Sequence, residues 1–465
     1  MLALVAVILA SGATGVSAVE PASNASAANA VVSVMNLPRD YRNASVLPTV
    51  SANEQPEGPA ASRWWQRFGS AELDALVEQA LRMNSDLRIA TLQVAQAKIR
   101  LEQNKAGALP TILAPIRMAS QGSGGTTDTL QSSQLGLQGS YRLDIWGEQR
   151  ASSESAQQQV LRASFDRDNV ERNVVGGLVS AYIAYLLVGD NVSMAVQNEQ
   201  VAKEILQTVE KRMALGDATR DEMDLQMGNL ALQQAALANL ENQREDMRTT
   251  ISRLVGALPA ELNLTDRGID ALRIPHVEAG IPSALLLNRP DVRTVEARMA
   301  AANANIEIAR ARLLPPIDLV GQAGYSGLTV AQLLQPQSLF WNAVASLSLT
   351  IFDGGRRQGD RALAQSAYQE MVETYRQTVY QAIREVESAV SSVRAANLRL
   401  EAHKRSTRAA LNMFKTASDA FTLGAVDLTT LLEARRNYQR SQDEMQKTKA
   451  ELLRASAGLS LAVGG

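Results

Sequence analysis

Cysteine is absent from this chain of 465 residues, and histidine occurs only twice, as His276 and His403. The lack of cysteine excludes disulfide bonds, thiol catalysis and thiolate metal sites. Two histidines so far apart in sequence are poor candidates for a metal cluster or for a serine–histidine triad. Because no grouping of nucleophile, base and orienting residue is visible, we expect neither an enzyme nor a bound cofactor.

Neither sign of charge is in excess, since 46 basic and 48 acidic residues leave a formal net charge of −2. This balance gives no reason to expect a nucleic-acid partner. Aromatic residues are also scarce, at 4% of the chain, while hydrophobic residues make up 46%. The composition therefore predicts long helices that pack closely through small side chains.

Long apolar runs are missing except at the start of the chain, where Leu2–Ala10 is followed by small residues. The triplet Val16-Ser17-Ala18 resembles a signal-peptidase site, so residues 1–18 are predicted to be the signal peptide of an exported protein. No other stretch approaches the roughly 20 apolar residues of a membrane-spanning helix. If the protein crosses a membrane, we expect it to do so as a β-barrel.

Internal repetition is the most informative feature of the sequence. Matching residues recur 205 or 208 positions apart, among them Asp86 and Asp291, Gly147 and Gly355, and Val255 and Val463. The chain is therefore predicted to comprise an N-terminal segment (19–81), a first repeat (82–256), a connector (257–285) and a second repeat (286–465).

Two β-strands are predicted in each repeat, at about 111–120 and 133–146 in the first and at about 316–326 and 342–352 in the second. Apolar and polar side chains alternate in the second of them, with Leu135, Leu137, Tyr141 and Leu143 on one face and Gln134, Gln138, Ser140 and Arg142 on the other. This alternation fits a barrel wall between lipid and water. It fits a sheet that covers the core of a soluble protein equally well.

A long helical hairpin follows each strand pair. From Gly147 to Gly216, and again from Gly355 to Gly424, no proline interrupts a run of about 69 residues, which as a helix would span roughly 100 Å. Apolar residues in the second run step by three and four, as in a coiled-coil seam: Val379, Ile383, Val386, Val390, Val393 and Leu400. The tips are predicted near residues 216 and 424, where glycine tolerates a left-handed turn.

Closure of the barrel requires more than one chain. Four strands are too few for a transmembrane barrel, since about eight is the minimum. Three copies would supply twelve strands, and the internal repeat would arrange them as a ring of six similar units. The geometry therefore predicts a homotrimer.

Five segments carry a resemblance to a known family: Trp64-Trp65 with Phe68-Gly69, Leu143-Asp144-Ile145-Trp146-Gly147, Arg289-Pro290-Asp291-Val292, Ile351-Phe352-Asp353-Gly354-Gly355-Arg356 and Phe421-Thr422-Leu423-Gly424. In this order and spacing, from about Trp64 to Gly464, the chain resembles the outer membrane factor family of TolC-like channels, in its OprM-like (NodT) branch. Members of that branch often carry a lipid-modified cysteine. Because this chain has no cysteine, we expect no lipid anchor.

The resemblance implies a mostly α-helical fold with a β-barrel portion. A trimeric helical barrel would extend into the periplasm from a 12-stranded β-barrel, with four strands per chain, in the outer membrane. The implied partners are a periplasmic adaptor protein, an inner-membrane transporter and outer-membrane lipid. The implied function is passive conduction of drugs or other toxic small molecules to the exterior.

The resemblance also places closure of the pore at the hairpin tips. The gate and pore candidates are Glu433, Asp224, Asp221, Glu222, Arg220, Phe421 and Leu432, and the candidate adaptor contacts are Leu215, Gly216, Leu423 and Gly424. Threefold symmetry would turn any inward carboxylate into a ring of three like charges, which favours cations. The simpler interpretation is that these charges lie on solvated helix surfaces.

Two other functions remain open. A type I secretion exit channel belongs to the same family and would be recognised by a neighbouring gene for an ABC transporter. A soluble coiled-coil scaffold with a small sheet would be recognised by solubility without detergent.

Overall fold

The computed structural model describes residues 60–122, 129–265, 267–275, 289–333 and 335–464. The predicted signal peptide and residues 276–288, which contain His276 and the last residues of the predicted connector, lie outside this part of the chain. The boundaries of the predicted repeats stay a prediction.

Helices dominate the part of the chain that the structure describes. Its α-helices are α1 (Ala71–Met83), α2 (Ser85–Ala106), α3 (Glu148–Ala214), α4 (Arg220–Val255), α5 (Pro290–Ala311), α6 (Arg356–Thr422) and α7 (Leu428–Ala462). Helices α3 and α6 are each 67 residues long, which corresponds to roughly 100 Å. Each packs along its return helix, α3 on α4 and α6 on α7.

The described strands form one antiparallel sheet. They are β1 (Thr111–Leu113), β2 (Ile116–Gly122), β3 (Thr129–Leu143), β4 (Ile317–Gly327) and β5 (Leu339–Leu347). The strand order is β1-β3-β4-β5, and β2 also pairs with β3. The pairing of β3 with β4 therefore joins the strands of the first half of the chain to those of the second.

The first predicted strand is interrupted. The prediction placed one strand at about 111–120, whereas β1 ends at Leu113 and β2 begins at Ile116. Pro115 lies between them and has no backbone N–H to contribute to the ladder. Both pieces pair with β3, so together they act as one broken edge of the sheet.

Two other strands end earlier than predicted, at Leu143 instead of about 146 and at Leu347 instead of about 352. Both terminal residues lie opposite Ile317, the first residue of β4. Pro315 and Pro316 precede it and cannot donate backbone hydrogen bonds. The two neighbouring strands therefore lose their partner at the same level.

The register separates polar from apolar side chains, as the alternation predicted. Rows of opposed residues on one face are Arg142, Asp318 and Ser346, and Gln138, Gln322 and Asn342. Rows on the other face are uncharged, such as Leu143, Ile317 and Leu347, and Leu137, Ala323 and Trp341. Trp341 is 78% exposed and Leu347 is 62% exposed. The apolar face therefore covers no core within one chain, which argues against the soluble-scaffold interpretation.

The main core lies among the helices. Trp64 and Phe68 are buried with Leu178 and Tyr182 of α3. The rings of Trp64 and Phe68 pack edge to face, with their centroids 6.2 Å apart. A second strip follows the predicted coiled-coil seam of α6, where Val386 packs towards α7. These contacts hold the N-terminal segment and the long helices together.

One helix is more apolar than the sequence analysis recognised. An 18-residue window of α3 has a mean hydropathy of 1.4, which is enough by length and composition to cross a membrane. Half of that window is buried inside the protein, as expected for a core helix. The expectation that nothing after the signal peptide would be so apolar was wrong.

Candidate pore and gate

The charged residues of the described strands lie on the polar face of the sheet. They are Arg117, Arg142 and Asp318. Arg117 pairs in register with Gln134 of the polar face. Arg142 Nε is 2.8 Å from Asp318 Oδ1 across the β3–β4 pair. The polar face therefore suits water, while the opposite face carries no charge.

Carboxylates cap both long helices where they leave the sheet. Asp144 accepts hydrogen bonds from the backbone N–H groups of Gln149 and Arg150, each at 3.0 Å. Asp353 accepts one from the backbone N–H of Arg357, in the first turn of α6, at 3.3 Å. Negative charge is favourable at a helix N-terminus, so these residues fix the angle between strand and helix.

A polar side chain anchors each half of the helical region at a position that we call its corner. In the first corner, Asn84 is buried and its Nδ2 donates to the carbonyl oxygen of Leu254 at 2.8 Å. In the second, Nη1 of Arg289 donates to the carbonyl oxygen of Ala462 at 3.0 Å, and this arginine is only 1% exposed. Equivalent positions of the two halves thus satisfy equivalent helix-end carbonyls.

The second corner also contains an ion-pair network. Nη2 of Arg289 lies 2.6 Å from both Asp291 and Glu385. Burial opposes ionisation of Asp291, but the hydrogen bonds and charge of Arg289 outweigh it and lower the pKa of this carboxyl. Burial, and then the charge of Arg289, lowers the pKa of the nearby Arg172. The sequence alone predicted no buried charge at this position.

The connector is tied down by polar contacts. Glu72 accepts hydrogen bonds from the backbone N–H of Thr265 and the hydroxyl of Tyr182, both at 2.7 Å. Asp190 accepts one from the backbone N–H of Ile269 at 2.9 Å. Burial raises the pKa of Asp190. The described part of the chain contains no group of three or more metal-ligating side chains.

The two hairpin tips have the same backbone turn. Gly216 and Gly424 have φ angles of +79° and +70°, in the left-handed region that glycine tolerates. The preceding residues, Leu215 and Leu423, are 85% and 84% exposed. The predicted adaptor contacts are thus two matching apolar points at the ends of the hairpins.

The side chains around the tips differ. Arg212 Nε is 3.1 Å from Asp217 Oδ2, and its Nη2 donates to the carbonyl oxygen of Asp217 at 2.8 Å. The equivalent positions in the second tip, 208 residues later, are Ala420 and Ala425. We call the Arg212–Asp217 contact the tip brace, which the sequence analysis missed.

The candidate gate residues of the first hairpin have different roles in the structure. Glu222 forms a capping box with Thr219, which satisfies the first turn of α4. Arg220 and Asp224 approach each other to 3.9 Å one turn apart. Asp221 is exposed. Glu222 therefore stabilises the helix start, while Asp221 and Asp224 keep exposed carboxylates.

The candidates of the second hairpin lie on α6 and α7. Phe421 and Glu433 are exposed, and Leu432 is half-buried. Asp427 caps α7 by accepting a hydrogen bond from the N–H of Thr430 at 2.9 Å. Hydrogen bonding to the side chain of Thr430, and then to this N–H, lowers the pKa of Asp427.

A groove of about 640 Å³ separates the two hairpins near their tips and brings some candidates together. Asp224 of α4 and Leu432 of α7 both line it, together with Arg435. Burial lowers the pKa of Arg435, which Glu204 partly offsets. Glu433 does not line this groove, so the structure does not join it to Asp224 within one chain.

Comparison with known proteins gives one family. A family model described as outer membrane efflux protein matches residues 76–257 and 281–465. Over 414 residues, 87% of each chain, the sequence is 31% identical to the pyoverdine export outer membrane protein OpmQ of Pseudomonas aeruginosa. It is 26% identical to the cation efflux system protein CusC of Escherichia coli, over 80% of this chain and 82% of that one.

Solved structures agree with this fold. The outer-membrane channel OprN superimposes with a TM-score of 0.82 at 25% identity, covering 93% of this chain and 97% of that one. The open state of the MtrE outer membrane channel of Neisseria gonorrhoeae gives 0.83 at 24% identity, over 92% and 96% of the two chains.

Proposed function

This chain belongs to the outer membrane efflux protein family, and we propose on that premise that it is the exit duct of a tripartite efflux pump. It is an outer-membrane channel and not an enzyme. Channels of this family are trimers that work with an adaptor and an inner-membrane transporter. The duct conducts its cargo passively, and the inner-membrane partner supplies the energy.

The two faces of the sheet carry this proposal. Three chains give a barrel of twelve strands whose uncharged face, with Leu137, Trp341 and Leu347, meets lipid. The face with Arg142 and Asp318 then lines a water-filled lumen. A soluble protein would gain nothing from so much exposed apolar surface.

The gate belongs at the tips of the two hairpins of each chain, next to the groove that separates them. Exposed carboxylates of Asp221, Asp224 and Glu433 form an acidic entrance, and Leu432 narrows the groove between the hairpins. The tip brace stiffens the first hairpin, whereas the second has alanine at both equivalent positions. We therefore assign the larger opening movement to the second tip.

The apolar points Leu215 and Leu423 serve as contacts for the periplasmic adaptor. Their exposure leaves most of each side chain available to a partner. In a trimer, three copies of each leucine form a ring of six exposed apolar side chains around the entrance.

The cargo is a small solute. OpmQ is named for pyoverdine export and CusC for cation efflux, and both names favour small molecules or ions over proteins. Drugs or other toxic small molecules remain the broader class. A type I secretion channel is the alternative within the family.

Purification in mild detergent followed by planar-bilayer recording tests the proposal. We expect a particle with the mass of three chains that conducts ions without nucleotide. A stable monomer, or a trimer that never conducts, would contradict it. Increased sensitivity of a deletion strain to small toxic compounds, with normal protein secretion, would separate efflux from type I secretion.

A further inference from the structure

Phe340 is the one aromatic side chain on the polar face of the described strands. It is the second residue of β5 and lies opposite Gly324 of β4, which in turn lies opposite Gly136 of β3. The neighbouring row on the same face is Gln138, Gln322 and Asn342. The other aromatic residues of these strands lie on the apolar face: Tyr141, Tyr325 and Trp341. Phe340 is therefore placed against the alternation that the rest of the sheet follows.

The two glycines leave the space beside this ring free of side chains. A Cβ at Gly136 would come within 2.6 Å of the carbonyl oxygen of Ala323, and a Cβ at Gly324 would collide with the carbonyl oxygen of Leu135. The close approach of β3 and β4 thus requires glycine at both positions. The polar face is consequently open beside Phe340, where a solute could reach the ring.

The segment before Phe340 is held in place by its own contacts. The side-chain oxygen of Gln332 accepts a hydrogen bond from the backbone N–H of Leu328 at 3.0 Å. The hydroxyl of Ser338 donates to the carbonyl oxygen of Gln332 at 2.6 Å, and Leu333 is only 7% exposed. Phe340 is itself half-buried. The start of β5 is therefore ordered, which lowers the entropic cost of binding to its side chain.

We propose that Phe340 is a transient contact site for aromatic groups of the solutes that pass through the duct. The inference rests on the proposed function, because Phe340 faces the lumen only if the polar face of the sheet lines the pore. Three copies then place three rings at one level of the barrel. Twelve strands about 4.8 Å apart, tilted by about 40°, give a backbone radius of roughly 12 Å. Side chains narrow this opening, so a drug-sized solute passes close to at least one ring.

The chemistry of the lumen makes the ring selective. Aromatic rings attract one another in offset or edge-to-face arrangements beyond what burial of their surface contributes. The adjacent row offers only amide groups, which water satisfies equally well. The contact is weak enough for the solute to leave, as conduction requires. A purely structural role, in which the ring shelters the glycine pair, would affect the stability of the barrel without distinguishing one solute from another.

The test is block of planar-bilayer currents by two monovalent cations of similar size, tetraphenylphosphonium and tetrabutylammonium. F340L keeps an apolar side chain without a ring. It should raise the half-blocking concentration of tetraphenylphosphonium about three- to tenfold, the scale of one aromatic pair, and should change that of tetrabutylammonium less than about twofold. F340Y keeps the ring and should retain most of the block by tetraphenylphosphonium.

The matched control is W341L, which removes the neighbouring aromatic side chain from the opposite face of the same strand. It should leave both blocks unchanged. If F340L forms conducting trimers in which the ratio of the two blocks is unchanged, or if W341L lowers the ratio as much as F340L does, the aromatic site does not exist although the duct stands. A wild-type trimer that never conducts would overturn the duct and the aromatic site together.

Discussion

The two halves of this chain place equivalent backbone contacts at equivalent positions but make them with different side chains. Asn84 and Arg289 each reach a carbonyl at the end of the last helix of their half. Gly216 and Gly424 each turn a tip through the left-handed region. The backbone contacts are thus shared between the halves.

The side-chain chemistry has diverged in opposite directions at the two ends. The second corner has a buried charge network where the first has an amide, and the first tip has an ion-pair brace where the second has alanines. The second hairpin is therefore held firmly at its base and loosely at its tip. This combination suits a hairpin whose base stays fixed while its tip moves to open the gate.

The largest expected difference between the two halves is in how much each corner residue contributes to the free energy of unfolding. R289A should lower the free energy of unfolding by about 3 kcal/mol, because it leaves the carboxylates of Asp291 and Glu385 without their partner. N84A should cost about 1–2 kcal/mol, the value of a capping hydrogen bond and its buried carbonyl. Thermal unfolding of the detergent-solubilised trimer, followed by tryptophan fluorescence, measures the difference.

R289K serves as the control at the same site. It keeps a charge but cannot reach both carboxylates and the carbonyl as a planar fork, so its unfolding temperature should lie between those of wild type and R289A. Equal losses for N84A and R289A would contradict the account of the corners.

The second contrast is in pH dependence. The pKa of Asp291 is lowered in the folded protein, so its stabilisation is complete above its ordinary pKa of about 3.9 and is lost as the pH falls through the lowered value. The stability difference between wild type and D291N should therefore be constant near neutral pH and shrink in acid. N84A should keep the wild-type pH profile, since the asparagine side chain does not titrate and its hydrogen bond goes to a backbone carbonyl. A D291N difference that grows in acid would contradict this.

The tip brace should have a smaller effect on stability but a visible effect on gating. Exposed ion pairs contribute about 0–1 kcal/mol, so D217N should barely change unfolding. Transplanting the brace to the second tip, as A420R with A425D, should lower the open fraction about twofold in bilayer recordings. The single variant A425D adds charge without a partner and is the control. An open fraction that the transplant leaves unchanged would place the moving part elsewhere.

The smallest effects concern the acidic entrance. E433Q and, separately, D224N should lower the preference for cations, because each removes three carboxylates from the trimer. Screening limits the change to about twofold in physiological salt. E210Q, on α3 before the tip, should change little. If both tip substitutions leave selectivity and block by divalent cations unchanged, these residues lie outside the pore.

The sequence predicted which strands and helices form far better than it predicted where the strands end. Alternation and repeat spacing indicated the strands, the long helices and the tips. The ends of β3 and β5 could not be predicted, because they depend on Pro315 and Pro316 of a neighbouring strand. Pairing partners, not local preference, set those ends.

The candidate site likewise contains one feature that the sequence could have predicted and one that it could not. The Thr219–Glu222 capping box could have been identified from its spacing alone, and it gives Glu222 a role at the start of α4. The buried network of Arg289 could not, because arginine is normally exposed and Glu385 is 96 residues away. Comparison of the two repeats supplies a hint, since Asn84 occupies the matching position.

Distances among the three copies of one tip in the trimer test the central claim, that the second tip is the movable one. The chain has no cysteine, so L215C or L423C can each carry a single spin label without background. In the trimer, electron–electron double resonance gives the distribution of distances among three equivalent labels. We predict a clearly broader distribution at position 423 than at position 215. Equal widths, or a broader distribution at 215, would contradict the account.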